Sequence, residues 1–172
     1  MIVLETERLI LRHLSEDTDL EFVLRLLNEP SFLRYIGDKG VRTLDDARQY
    51  LVTGPIASYE INGFGLYLVQ LKDSGLSVGM CGLIKRDTLP DIDIGFALLP
   101  EFWNQGYALE AATGVAAYAN NTLELDRIVA ITDPDNEASA RLLNKLGLTF
   151  ESLIDLGDGK PVRLFTPSKS NP

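Results

Sequence analysis

The amino-acid sequence predicts an α+β domain in which helices pack on a single sheet. Three apolar segments, 64–71, 76–86 and 91–99, follow one another with only short turn sequences between them, so they predict an antiparallel meander of strands. Segments with the helical spacing of apolar residues stand before and after this meander. The chain has 172 residues and contains neither a repeat nor a linker-like segment, which favours one domain over 1–172.

The first third of the chain predicts one strand and two helices. Residues 8–14 are rich in Leu and Ile and predict the first strand. A helix over about 17–28 follows and ends before Pro30, because a proline ring cannot continue a helix. After a loop with two glycines, a Thr followed three residues later by an Asp has the spacing of a capping box, which begins a second helix over about 43–59.

The chain after the meander predicts further helices and strands. These are a helix (about 106–121), a strand (127–132), a helix (136–146) and a final pair of strands (148–155 and 162–166), with a frayed tail over 167–172. The first of these helices carries small apolar side chains at helical spacing, so it can lie close to the sheet. They are Ala108, Ala111, Ala112, Val115 and Ala119.

Composition excludes several classes of protein. The net charge of −9 at pH 7 argues against a nucleic-acid surface, which needs basic residues, and fits cationic substrates better. The single cysteine, Cys81, lies in an apolar run and predicts a core residue, so neither a disulfide nor a metal site is expected. No apolar run approaches 18 residues and no secretory pattern opens the chain, so we expect a cytoplasmic protein without membrane attachment.

The most informative segment is 91–112, where a strand leads through a short loop into the alanine-rich helix. Gly106 and Ala108 stand where this helix begins. The first N–H groups of a helix have no partners within it and carry the positive end of its dipole, so this turn is suited to a phosphate or pyrophosphate. The sequence has neither of the two common nucleotide-binding fingerprints here, which points to a different diphosphate.

Three segments of the chain resemble one protein family. They are Thr-Glu-Arg-Leu-Ile-Leu-Arg (6–12), Leu-Leu-Pro-Glu-Phe-Trp-Asn-Gln-Gly-Tyr-Ala-Leu-Glu-Ala (98–111) and Asp-Pro-Asp-Asn-Glu-Ala-Ser-Ala-Arg-Leu-Leu-Asn-Lys-Leu-Gly-Leu (133–148). In this order they resemble the GNAT N-acetyltransferase superfamily, and most closely its ribosomal-protein N-terminal acetyltransferase branch. The resemblance implies acetyl-CoA as cosubstrate and a seven-stranded, mixed, mostly antiparallel twisted sheet flanked by about four helices. The oligomeric state stays open between a monomer and a homodimer.

The resemblance also implies where coenzyme A binds. In the family the pantetheine arm lies between two strands that splay apart, and it pairs with the main chain of the strand that here contains Ala97, Leu98 and Leu99. The phosphate loop departs from the family pattern at Trp103 and Asn104, although Asn tolerates the left-handed backbone of the usual Gly. The expected loop contacts come from Asn104, Gln105, Gly106, Tyr107, Ala108 and Leu109.

Asn136 and Ser139 are candidates on the helix over 136–146. Asn136 has the residue type and position of a helix N-cap, and the resemblance adds a contact to the pantetheine arm. Ser139 lies one turn further and would point toward the thioester sulfur. Other branches carry a tyrosine general acid where this chain has Leu143, which leaves Ser139 or water to assist the departing thiol.

Asp93 is the candidate base. It occupies the position of the glutamate in the Glu-Ile-Gly motif of the branch, and an attacking ammonium group must first lose a proton. The alternative is that Asp93 is a solvated or hydrogen-bonded carboxylate without a catalytic role. The resemblance therefore implies direct acetyl transfer from acetyl-CoA to a primary amine, and the rival is a non-catalytic CoA-binding or sensory module. The acceptor stays open among a protein N-terminus, an aminoglycoside, a polyamine and an amino acid.

Overall fold

The computed structural model of the protein describes residues 1–169, which form one mixed sheet of eight strands with helices on both faces. The strands are β1 (Ile2–Glu5), β2 (Leu9–His13), β3 (Leu66–Leu71), β4 (Ser77–Ile84), β5 (Ile92–Leu98), β6 (Ile128–Thr132), β7 (Leu148–Asp155) and β8 (Pro161–Pro167). Their order across the sheet is β1-β2-β3-β4-β5-β6-β8-β7. All neighbours are antiparallel except β5 and β6, so the predicted α+β class and mostly antiparallel sheet are confirmed.

The helices cover the same regions as the sequence predicts, with one addition. They are α1 (Leu20–Leu27), α2 (Pro30–Tyr35), α3 (Leu44–Leu51), α4 (Ala57–Asn62), α5 (Tyr107–Asn121) and α6 (Glu137–Lys145). A π-helical turn (Val52–Ile56) joins α3 to α4, and a 3₁₀ turn (Pro100–Phe102) follows β5. The π-helical turn contains Pro55, which has no N–H to donate within the helix.

Two expectations about element number were wrong. The sheet described for residues 1–169 has eight strands instead of seven, because Ile2–Glu5 pairs antiparallel with β2 as an extra edge strand. The region after Pro30 is helical instead of a loop, because Pro30 occupies the first turn of α2, where a missing N–H costs no hydrogen bond. The predicted capping box is present: Thr43 Oγ1 accepts from the N–H of Asp46, and the Asp46 carboxylate accepts from the N–H of Thr43.

The tail is ordered further than the sequence predicts. Pro167 ends β8 opposite Leu148, and the N–H of Ser168 donates to the carbonyl of Gly147 at 3.0 Å. The expected fraying at 167 and 168 is therefore wrong, because these residues are paired with the chain around Gly147. The predicted tail over 170–172 lies outside the described residues. Among the helices of the described chain, none is long and apolar enough to cross a bilayer.

Two hydrophobic cores lie on opposite faces of the sheet. One lies under α5 and α6, where Ala111, Ala112, Val115 and Ala119 of α5 are completely or almost completely buried. These small side chains let the helix lie close to the strands, as the sequence predicts. The other core lies under α1 and α3. The sheet thus has one face that carries α5, which follows the predicted phosphate loop, and one face that carries α1, α2 and α3.

The sheet opens between β5 and β6. Their parallel pairing consists of Ile92 with Ile128 and Asp93 with Val129, and in the described chain it stops there. Beyond Asp93, β5 stays paired with β4 as far as Leu98, whereas β6 stays paired with β8 as far as Thr132. The two strands therefore diverge, and a gap opens from Asp93 toward the beginning of α5.

Candidate active site

The main chain of β5 presents polar groups to this gap. The N–H of Leu99 donates to the carbonyl of Val78 on β4 at 2.9 Å. Backbone groups alternate in direction along an antiparallel strand, so Ala97 also faces β4, whereas Phe96 and Leu98 face the gap. Of the three residues predicted to pair with the pantetheine arm, only Leu98 has its main chain in that direction. The same alternation adds Phe96, which was not among the predicted residues, to those whose main chain faces the gap.

Trp103 fixes the end of β5. Its indole Nε1 donates to the carbonyl of Leu98 at 3.0 Å. This bond engages the Leu98 carbonyl and leaves the Leu98 N–H as the group of this residue that faces the gap without a partner in the described chain. The side chain at the position where the loop departs from the family pattern thus holds the strand end in place.

The loop after β5 has the backbone that a helix N-terminal anion site requires. Asn104 adopts a left-handed conformation with φ of 60°, as expected for an Asn in place of Gly, and Gly106 adopts φ of 82°. Gly106 is the N-cap of α5 and its carbonyl accepts from the N–H of Glu110 at 3.0 Å. The N–H groups of Tyr107, Ala108 and Leu109 precede this bond and have no partner within the helix.

Glu110 ties the first turn of α5 to the beginning of β2. Its carboxylate accepts from Thr6 Oγ1 at 2.6 Å, from the N–H of Arg8 at 2.8 Å and from Arg8 Nε at 2.7 Å. Burial tends to raise the pKa of Glu110, but the bonds from Thr6 and Arg8 outweigh it, and the pKa is lowered. The carboxylate is therefore held in its charged form.

Arg8 brings a positive charge to the phosphate loop. Its Nη1 donates to the carbonyl of Gln105 at 2.9 Å, and its guanidinium carbon lies 4.5 Å from the centre of the Tyr107 ring. The side chain is 44% exposed, so this charge is accessible to an anion. Sequence reasoning did not assign Arg8 to the site. Arg8 does stand in the Thr-Glu-Arg segment at 6–8, which carries part of the family resemblance. Its contact with Glu110, however, joins residues about one hundred positions apart, so sequence spacing does not indicate it.

Asn136 and Ser139 lie at the beginning of α6, just beyond the end of β6 at the gap. Asn136 Oδ1 accepts from the N–H of Ser139 at 3.2 Å, so Asn136 is an N-cap, one of the two roles expected for it. Arg163 on β8 donates from Nη2 to the carbonyl of Asn136 at 3.1 Å and holds this turn. Leu143 is buried in the core, so its position offers no proton donor.

Asp93 stands at the point where β5 and β6 part. Its side chain is 1% exposed, and Oδ1 accepts from Arg86 Nε at 3.1 Å. Burial raises the pKa of Asp93, while the charge and hydrogen bond of Arg86 act in the opposite direction. By strand alternation its side chain shares the face of Ala97 and Leu99, which belong to the core under α1 and α3. Asp93 is thus a hydrogen-bonded carboxylate at the apex of the gap, on the face opposite α5.

Comparisons with known proteins identify the family to which this chain belongs. The family model described as acetyltransferase (GNAT) domain matches residues 8–149. The uncharacterized N-acetyltransferase YoaA of Bacillus subtilis strain 168 is 31% identical over 154 residues, which cover 88% of this chain and 85% of YoaA. The chain therefore belongs to the GNAT acetyltransferase family and is an N-acetyltransferase.

Solved structures share the fold along nearly the whole chain. The acetyltransferase from Agrobacterium tumefaciens strain C58 has a TM-score of 0.83 and 25% identity, covering 98% of this chain and 95% of its own. RimL, a ribosomal L7/L12 alpha-N-protein acetyltransferase in complex with coenzyme A, has a TM-score of 0.82 at 17% identity, covering 96% and 97%. Enzymes of the GNAT family use acetyl-CoA, and the free N–H groups, the exposed Arg8 and the unpaired edge of β5 fit such a ligand.

Proposed function

We propose that this protein transfers the acetyl group of acetyl-CoA directly to a primary amine in the gap between β5 and β6. The observation that supports this best is the end of strand pairing at Asp93 and Val129. Because the pairing ends there, the edge of β5 between Asp93 and the phosphate loop has no neighbouring strand in the described chain. The end of the pairing also brings a buried carboxylate to the inner end of the same gap.

The first turn of α5 would bind the diphosphate. The N–H groups of Tyr107, Ala108 and Leu109 point out of the helix N-terminus, where the helix dipole adds positive potential. Arg8 adds a partly exposed guanidinium, whose charge is shared with Glu110 and which also donates to the carbonyl of Gln105. The left-handed turns expose the backbone of the preceding loop to the same anion. The proposed loop contacts are Asn104, Gln105, Gly106, Tyr107, Ala108 and Leu109.

The edge of β5 would hold the pantetheine arm and activate the donor. Acetyl-CoA supplies an acetyl group already activated as a thioester. Main-chain groups of Phe96 and Leu98 pair with the arm in place of a neighbouring strand. The N–H of Leu98 donates to the thioester carbonyl oxygen and stabilises the negative charge that develops there during attack.

Asp93 would accept the proton of the attacking ammonium through a water molecule. An α-amino group has a pKa of about 8 and a lysine of about 10.4, so most of the acceptor is protonated at neutral pH. Burial raises the pKa of Asp93 and makes it a stronger base than an exposed aspartate. Its place at the apex of the gap brings this carboxylate to the face from which the amine would approach.

Ser139 would assist the departing thiolate. Its N–H is bound by Asn136, and α6 begins beside the gap, so the hydroxyl would approach the sulfur from the β6 side. A thiol has a pKa of about 8.5 and leaves without strict need of a proton, so a tyrosine at the position of Leu143 is not required.

A product assay tests this function. Purified protein is incubated with acetyl-CoA and a panel of amines. Released thiol is measured with a colorimetric thiol reagent, and the acetylated amine is measured by mass spectrometry. We expect thiol and acetylated amine in equal amounts with at least one amine. Binding of acetyl-CoA by calorimetry without release of thiol for any amine would instead support the non-catalytic CoA-binding module.

A further inference from the structure

We propose that the amine acceptor carries a carboxylate, which binds the outer edge of the Arg86 guanidinium while the amine faces Asp93. This inference rests on the proposed function, because it names the class of amine that would occupy the acceptor side of the gap. It differs from the expectation drawn from the net charge of −9, which favours cationic substrates.

Arg86, which lies beside the candidate base Asp93, has hydrogen-bond donors that are not used within the described chain. Its Nε is bound to Asp93 Oδ1 at 3.1 Å, whereas Nη1 and Nη2 have no protein acceptor within residues 1–169. The side chain is 32% exposed, so the edge formed by these two nitrogens is accessible. Two parallel N–H donors on a guanidinium match the two oxygens of a carboxylate, which makes this edge a suitable receptor for one.

Lys39 brings a second positive charge from the loop between α2 and α3. Desolvation by the surrounding protein, and then the charge of Arg86, lower the pKa of Lys39, so its ammonium lies near that guanidinium. Lys39 forms no ion pair with the described part of the chain. Asn28 holds the loop by donating from Nδ2 to the carbonyl of Val41 at 2.8 Å.

Arg86 and Lys39 are two cations near Asp93. Asp93 contributes one negative charge against these two cations, and Asp87, which is exposed and next to Arg86 in the sequence, is a further carboxylate of this segment. Two other carboxylates of the neighbouring segments are engaged elsewhere: Asp38 with Arg42 at 2.5 Å and Asp91 with Arg127 at 3.2 Å. The free Nη1 and Nη2 donors of Arg86, and not the net charge of this segment, would therefore select an acceptor carboxylate.

Tyr50 on α3 completes the surroundings of Arg86 without adding charge. Burial raises the pKa of Tyr50 to about 12, and the nearby Arg86 acts in the opposite direction, so the hydroxyl is neutral at physiological pH. A polyamine or aminoglycoside would bring further positive charge against Arg86 and Lys39, which disfavours it. An acceptor with an amine and a carboxylate a few bonds apart can face Asp93 and Arg86 simultaneously.

Matched acceptors test the proposal and distinguish two sources of the carboxylate. One series compares L-alanine with L-alaninamide, and L-glutamate with its diamide. The other compares peptides that begin Ala-Asp with peptides that begin Ala-Asn, and spermidine serves as the cationic acceptor. Because a hydrogen bond to a charged group contributes about 1.5–3 kcal/mol, we expect kcat/KM to be about 10- to 100-fold higher for the carboxylate member in at least one series.

Variants of Lys39 test whether the loop between α2 and α3 contributes to the preference for a carboxylate. Lys39→Met should lower the carboxylate-to-amide ratio of kcat/KM several-fold, whereas Lys39→Arg should keep it. Lys145→Met removes the same charge from an exposed position at the end of α6 and should leave the ratio as in the wild type. Circular dichroism and acetyl-CoA binding confirm that each variant is folded.

The outcomes separate the inference from the proposed function. Turnover of the amides or of spermidine as fast as of the carboxylates would overturn the carboxylate proposal and leave acetyl transfer standing. A carboxylate preference that Lys39→Met does not change would also overturn the role of Lys39. Absence of thiol release with every acceptor would overturn the proposed function, and the inference with it.

Discussion

The Nε atom of Arg8 lies 2.7 Å from Oε2 of Glu110, so the beginning of β2 holds the first turn of α5. Glu110 also binds Thr6, and Arg8 also binds the carbonyl of Gln105. These contacts fix the loop before α5 from outside, in addition to the close packing of the helix on the sheet. A site built from main-chain N–H groups depends on this fixing, because its donors cannot be re-aimed by side-chain rotation.

Removal of the Arg8 charge should weaken donor binding. Arg8→Ala deletes the accessible cation next to the α5 N-terminus, so we expect the Kd for acetyl-CoA to rise about 10-fold, the order of a charge-assisted hydrogen bond. The effect should shrink at high salt. Calorimetric titration measures it. Arg48→Ala is the control, since Arg48 makes a comparable exposed ion pair with Glu16 away from the loop. Equal affinities of wild type and Arg8→Ala would contradict the assigned role.

A side chain at Gly106 should damage both the backbone and the site. Gly106 has φ of 82°, and an added Cβ would lie 3.2 Å from Arg8 Nη2. We expect Gly106→Ala to lower stability by about 1–2 kcal/mol and to weaken acetyl-CoA binding about 10-fold or more. Gly63→Ala is a matched control, because Gly63 has φ of 77° in open space at the end of α4. Thermal melts should fall for both variants, whereas acetyl-CoA affinity should fall for Gly106→Ala only.

The Glu110 contacts should make stability depend on pH. Burial tends to raise the pKa of Glu110, but its hydrogen bonds lower it below the usual value of 4.5. The folded state therefore binds this proton less tightly than the unfolded chain, and the stabilisation is present above about pH 4.5 and lost as pH falls through the folded-state pKa. The Tm difference between wild type and Glu110→Gln should be largest near pH 7 and should shrink toward pH 3. A Tm difference that stays constant with pH would contradict a stabilising role of the charged Glu110 carboxylate.

Loss of the Asp93 carboxylate should slow acetyl transfer without weakening donor binding. General-base catalysis contributes about 10²- to 10⁴-fold, so we expect Asp93→Asn to lower kcat by about 100-fold at pH 7. The deficit should shrink at high pH, where the free amine no longer needs a base. In the wild type, kcat/KM should fall as pH drops through the pKa of Asp93, which burial raises above its usual value of 3.8.

Asp91 provides the control for Asp93. It lies two residues earlier and pairs with Arg127 at the surface, so Asp91→Asn changes a comparable carboxylate outside the gap. We expect its kcat to stay within about two-fold of the wild type, as for most surface substitutions. Equal kcat values for Asp93→Asn and the wild type would remove the base role and leave Asp93 as a structural partner of Arg86.

The sequence predicts the local features of this protein well. The capping box at Thr43, the small residues on one face of α5 and the left-handed Asn104 depend on neighbouring residues, and the structure contains all three. The family also followed from local motifs. β1 was missed because four partly exposed residues at a sheet edge carry little periodic signal.

Contacts between distant segments could not be predicted in the same way. The pairing of Arg8 with Glu110 spans 102 residues, and the choice among Ala97, Leu98 and Leu99 depends on the register between β4 and β5. Arg86 next to Asp93 follows from that same register, which places Ile84 opposite Asp93. These relationships need the assembled sheet, because sequence spacing alone does not define which strand edge stays open.

A high-resolution crystal structure of the protein with bound coenzyme A would show directly where the diphosphate and the pantetheine arm bind. We expect the diphosphate within hydrogen-bonding distance of the N–H groups of Tyr107, Ala108 and Leu109, with the pantetheine arm along β5 at Phe96 and Leu98 and the sulfur near Asp93. A structure in which the coenzyme lies outside the space between β5 and β6, or leaves the first turn of α5 without contact to phosphate, would contradict the account.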